Sequence, residues 1–104
     1  MLLSTTYEIH GKKITRHIGL VRGNTIRARH LGRDIVAGLR NVVGGEVGEY
    51  TKLMAESREQ AIDRMIEEAQ RLGGNAIVGV RFTTTEVMQR AAEIMVFGTA
   101  VVVE

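Results

Sequence analysis

Apolar residues change their spacing along the chain, and each spacing predicts an element. In residues 13–28, KITRHIGLVRGNTIRA, Ile14, Ile18, Leu20 and Ile26 share even parity, the two-residue period of a strand. Arg16, Arg22 and Asn24 interrupt that face, so part of it must reach solvent or a partner. Gly23-Asn24 is a turn signal, and the stretch reads as a bent strand or as a hairpin. Residues 31–43 switch to helical spacing: Leu31, Ile35, Leu39 and Val42 form one apolar stripe of a short helix. Residues 49–72 predict the main helix, with Tyr50, Leu53, Met54, Ala61, Met65, Ala69 and Leu72 along one face. Glu67 and Arg71 form an i,i+4 pair on its wet side, and strong helix formers dominate the segment.

Two strands follow, AIVGVRFTT (76–84) and IMVFGTAVVV (94–103), joined by a polar link. The main helix spans about 36 Å and the last strand about 33 Å, so the helix can lie along a sheet and cover one face. The last strand is apolar on both parities: Ile94, Val96, Ala100 and Val102 on one, Met95, Phe97, Val101 and Val103 on the other. An antiparallel sheet with one solvated face alternates apolar with polar, and this strand does not. One long and one short helix cover both faces poorly, which predicts a homo-oligomer whose subunits cover each other. The expected subunit is α+β with two layers, an antiparallel sheet packed by one long helix and a short one, in a single domain over 1–104.

With no proline in the chain, glycine sets the joints. The segment RNVVGGEVGEY (40–50) looks most like a site, and it has an echo in RLGGNA (71–76). Each glycine pair, Gly44-Gly45 and Gly73-Gly74, follows the apolar end of a predicted helix. There glycine adopts the left-handed conformation cheaply and lets orphan carbonyls be satisfied. Gly44 and Gly73 read as the residues just past a helix end, and Gly45 and Gly48 as the turn before the next helix. Glu46 and Glu49 then fall near a helix N-terminus, where negative charge is favoured and an anion is opposed. The spacing fits neither a P-loop nor a dinucleotide fingerprint.

Composition narrows the chemistry. The 104 residues include no cysteine, which excludes disulfides, thiolate metal sites and a cysteine nucleophile. No segment has the apolar core of an export signal or the length of a membrane span, so a soluble cytoplasmic protein is expected. The net charge of +2 conceals an asymmetry: residues 1–45 carry eight Lys/Arg against two acids, and 46–104 six against ten. The split suits either an anionic partner or contact between the basic half of one subunit and the acidic half of the next.

Imidazole is the commonest metal ligand, and the histidines are His10, His17 and His30. Their separations of seven and thirteen give no local ligand spacing. If a divalent metal binds, His17 on its predicted strand is the first candidate, then His10 and His30, with Glu46 as a carboxylate. Arg27, Arg29 and Arg33 in RARHLGR could meet phosphates, but few aromatics are available for base stacking, and a solvated or interface patch is the commoner role. Asp34 and Asp63 lie in predicted helices, and neither Ser4 nor Ser57 has a nucleophile-elbow motif around it. A binding or structural role is therefore expected rather than catalysis.

Three blocks, GLVRGNTIRARHLGRDIVAGLRNVVGGEVGEYTKLMAESREQA, LGGNAIVGVRF and FGTAVVVE, resemble the YbjQ-like family of small prokaryotic proteins over nearly the whole chain. The link EVMQRAAE (86–93) departs from relatives that carry glycines there. The resemblance implies a compact α/β subunit similar to dodecin-like ones, assembled as a homopentameric ring. It also implies heavy-metal binding, the label the family carries. The dodecin-like shape suggests an alternative, a small molecule held between subunits. A structural or interaction protein without a ligand is the other.

Overall fold

The computed structural model describes residues 1–28, 45–88 and 91–104. The elements are β1 (Leu2–Leu3), β2 (Ile14–Ala28), α1 (Gly45–Arg71), β3 (Ala76–Met88) and β4 (Ala91–Val103). They form one sheet in the order β1-β3-β4-β2. The three long strands pair antiparallel through the central β4, and β1 adds a short parallel edge to β3. The sheet is thus mixed, whereas an antiparallel one was expected. The anticipated short helix at 31–43 lies outside the described residues. The helix α1 packs chiefly over β2 and β4. Among the described residues, no helix is long and apolar enough to cross a membrane.

The buried stripe of α1 repeats at every fourth residue: Ser57, Ala61, Met65 and Ala69 are all fully buried. Ile62 and Ile66 flank it, and Val21, Ile77, Val80, Val96 and Ala100 receive it from the sheet. Met65 is the largest buried side chain of the helix, and its burial is worth about 2 kcal/mol. Leu72, expected on this stripe, is 39% exposed because the helix ends before it. The ending follows a Schellman pattern: the Gly74 amide donates to Ala69 O at 2.9 Å and the Gly73 amide to Gln70 O at 3.0 Å. Gly73 takes φ 91°, the left-handed conformation the pattern requires. At the other end, Gly45 is the first residue of α1 and not part of the turn before it; Gly48 also lies inside the helix.

Gly23-Asn24 is no turn: β2 is one continuous strand, and Gly23 lies in its middle beneath the helix. A Cβ on Gly23 would sit 2.0 Å from Ala61 O and 2.6 Å from Met65 N, so two backbones meet where only glycine fits. Polar contacts tie the same crossing. Thr25 Oγ1 donates to Ser57 O at 3.2 Å, and Ser57 Oγ donates to Leu53 O at 2.8 Å. The Arg64 guanidinium donates to Asn24 O.

The expected even parity of β2 holds for Ile14, Leu20 and Ile26 but not for Ile18. Register irregularities between Ile14 and Arg16 and between His17 and Gly19, with Gly19 at φ 142°, each switch the faces, so the second restores what the first inverted, and Ile18 packs on the helix side. Beyond them Val21 and Thr25 point to the helix, while Leu20 and Ile26 are 64% and 59% exposed on the far face. The strands β3 and β4 also run further than their apolar patterns, pairing through Met88↔Ala91. The polar link is thereby reduced to two residues, which lie outside the described ones.

The second apolar face of β4 is covered in part by the chain itself. Val101 and Val103 form a second buried cluster with Ala76 and Val78, and Ile9 and Ile14 close over it. The N-terminal segment thus covers one end of the face that subunits were expected to cover.

Replacing Gly23 by alanine is expected to destabilise the fold by about 2 kcal/mol or more, since two backbones would have to part. Chemical denaturation of Gly23→Ala against the parent measures it, and a change under 0.5 kcal/mol would contradict the close approach.

Candidate functional site

The segment between β1 and β2, residues 4–13, is a strap. It first follows the outer edge of β3. The Ser4 amide donates to Ile77 O at 2.9 Å, the Val80 amide to Ser4 O at 3.0 Å and the Gly79 amide to Thr6 O at 2.8 Å. It then crosses the far face of the sheet with Ile9 over the second cluster and reaches β2 on the opposite edge. A turn closes with the Lys12 amide donating to Ile9 O at 3.0 Å, and Gly11 in it takes φ 80°. Lys13 and Glu104 then exchange two backbone hydrogen bonds of 2.9 Å, fixing the strap to the end of the last strand.

Tyr7 anchors the crossing. Its ring lies against Gly79, where a Cβ would be 2.9 Å from the ring and where φ is 63°. The Arg81 guanidinium stands 5.7 Å from the ring centroid and donates to Thr5 O at 2.8 Å. A cation–π contact at such an exposed place contributes about 0.5–1 kcal/mol.

Along the strap is an open hollow of about 880 Å³, lined by residues 6–14 and His17. That volume falls in the usual small-molecule range of about 300–1,000 Å³. The turn at Gly11 and the start of β2 bring His10 and His17 to its wall, although seven residues separate them. Glu8, Lys12 and Lys13 line it as well, and the side chains of all five residues are exposed. The hollow therefore offers two imidazoles, two ammonium groups and one carboxylate. Among the described residues, no group of three His, Asp or Glu is arranged to hold a metal ion.

The remaining candidates fall elsewhere. His30, Arg29, Arg33 and Gly44 lie outside the described residues, Glu46 is in the first turn of α1, and Arg27 is near the end of β2. Sequence reasoning singled out His10 and His17 but attached no role to Tyr7, Lys12 or Lys13. The signal available was the Gly-Lys-Lys step just before an extended run, a turn that adds two cations.

A protein-family model described as "Putative heavy-metal-binding" matches residues 1–104. The chain belongs to the YbjQ-like family. Curated relatives, each named a UPF0145 protein, span bacteria and archaea. One from Dehalococcoides mccartyi is 56% identical over 104 residues, covering all of both chains. One from Methanosarcina acetivorans is 55% identical over 97% of this chain and 95% of its own. One from Thermus thermophilus is 52% identical over 100% of this chain and 91% of its own. The YbjQ-like fold is also similar to a crystal structure from Pediococcus pentosaceus, a DUF74-family protein of unknown function. That likeness has a TM-score of 0.65 at 16% identity and covers 100% of this chain and 98% of the other.

If Tyr7 anchors the strap in this YbjQ-like chain, Tyr7→Ala loosens it locally. Amide exchange at Gly79 and Val80 should accelerate about fivefold, corresponding to about 1 kcal/mol. Hydrogen-exchange NMR reads this directly, with unchanged exchange at those two amides as the opposing result.

Proposed function

We propose that this protein is a non-catalytic, homo-oligomeric binding protein, assembled as a ring of five, that holds its ligand in the hollow lined by the strap. The observation carrying the reading is the convergence of His10, Lys12 and Lys13 of the strap and His17 of β2 on one hollow. The strap is tied at both edges of the sheet, and the hollow is of small-molecule size.

The oligomer is supported by what the subunit leaves bare. Leu20 and Ile26 on the far face of β2 and Phe82 on β3 are exposed, with Phe82 at 46%. Beyond the strap, Met95 and Phe97 of β4 are only half-buried. The radius of gyration is 17.2 Å, against about 13 Å for a compact domain of this length. An elongated sheet with bare apolar positions gains by packing against copies of itself. A heterologous contact closes a ring when its rotation permits, and the basic N-terminal half opposed to the acidic C-terminal half suits such a contact.

A metal ligand is the second reading, favoured by the imidazoles and by the family's description. His10, His17 and Glu8 are not all arranged to share an ion, so at most two would supply donors; nitrogen and oxygen donors suit zinc or nickel better than soft thiophilic ions. The completing donors would then come from a neighbouring subunit.

Native mass spectrometry of the protein purified without chelator is the test. A five-subunit mass is expected, with added mass naming the ligand class. Leu20→Asp with Ile26→Asp should shift the population to monomer while helical circular dichroism is retained. A parent protein that is monomeric at micromolar concentration would refute the ring.

A further inference from the structure

We propose that the hollow takes an anionic small molecule, one carrying a phosphate or carboxylate group, bound by Lys12 and Lys13 with His10 and His17 donating hydrogen bonds. This rests on the reading of the hollow as the ligand site and names the chemistry that fills it.

The charges decide the class. The lining contains two ammonium groups and a single carboxylate, Glu8. Two lysines against one carboxylate leave the wall net positive without any charge on the imidazoles. A divalent cation entering would be repelled by Lys12 and Lys13, while an oxyanion is attracted by both. Glu104, whose backbone pairs with Lys13, does not line the hollow.

Donor chemistry points the same way. Lysine is donor-only and is a common point-charge partner of phosphate. Each neutral imidazole carries one N–H that can be turned toward an oxyanion. The metal alternative has two imidazoles and one carboxylate at hand, but no three such groups come together among the described residues.

Geometry supplies the selectivity. The turn at Gly11 places Lys12 directly after the bend, and the paired backbones of Lys13 and Glu104 fix Lys13 against the sheet. A volume near 880 Å³ exceeds the needs of a bare inorganic ion. The apolar part of an organic anion would meet Ile9 and Ile14, which also line the hollow and are half-buried. The site thus has a cationic side and an apolar side, the pattern of a small organic acid or phosphate ester.

The test is calorimetric titration of the full chain, in an amine buffer, with pyrophosphate, with citrate and, separately, with zinc chloride. Saturable binding of pyrophosphate or citrate is expected, weakened at least tenfold in Lys12→Gln/Lys13→Gln with an unchanged melting temperature. Preference for one probe assigns the phosphate or the carboxylate source. Anion binding indifferent to the lysine pair would overturn the proposal. So would zinc binding alone, abolished in His10→Ala/His17→Ala; that result would leave the hollow as the ligand site with a metal in it. No binding of any probe would overturn both the anion and the hollow.

Discussion

The crossing of α1 over Gly23 is the contact from which the rest of the subunit follows. With a Cβ position only 2.0 Å from a helix carbonyl, no residue but glycine admits this approach. The helix contributes its own small residues there, Ser57, Ala61 and Ala69, so the approach is prepared from both sides. Seating the helix that close to β2 centres it over β2 and β4. Phe82 on β3 then stays outside its reach, although it is paired with the fully buried Val96. The bare apolar edge of the subunit is thus a consequence of where the helix sits.

The far face is divided by the same economy. A helix on one side can cover only one parity of β4, and the other parity needs a second cover. The strap supplies it over Val101 and Val103 and stops there. The irregularity at His17–Gly19 marks the division along β2. Before it, Ile14 and His17 belong with the strap; after it, Leu20 and Ile26 face outward. One strand therefore lines the hollow first, with Ile14 and His17, and then presents an apolar surface.

Much of this was legible in the residues. Helical spacing gave the main helix, and the run at 94–103 gave a strand apolar on both faces. What stayed hidden depends on contacts remote in sequence. Gly23-Asn24 carries a turn signature because glycine permits turns, yet the same lack of a Cβ permits a helix to cross. Nothing local separates the two, since the decision lies with Ala61 and Met65. Ile18 left the face of Ile14 and Leu20 for a related reason: an extra residue inverts the side chains after it until a second one restores them, and a period-two pattern assumes neither. The strap shows no periodicity because most of its backbone hydrogen bonds go to the edge of β3 and to Glu104.

The candidate site was half legible for the same cause. His10 and His17 stood out by residue type, and the absence of ligand spacing between them argued against a site. Spacing rules hold within one helix or strand. Here a turn and a crossing intervene, and convergence is set by where the strap meets β2. Once the strap closes, the composition of the wall matters more than the histidines alone. Two lysines adjacent to two imidazoles form a field that favours negative charge, whichever residue type first drew attention. Because Ile14 and His17 of β2 line the hollow and Leu20 and Ile26 are its bare apolar positions, the proposed binding and the proposed assembly rest on separate side chains. They can be removed one at a time. A protein that loses assembly but keeps its ligand would place the binding chemistry within one subunit, where the lysines and histidines already meet.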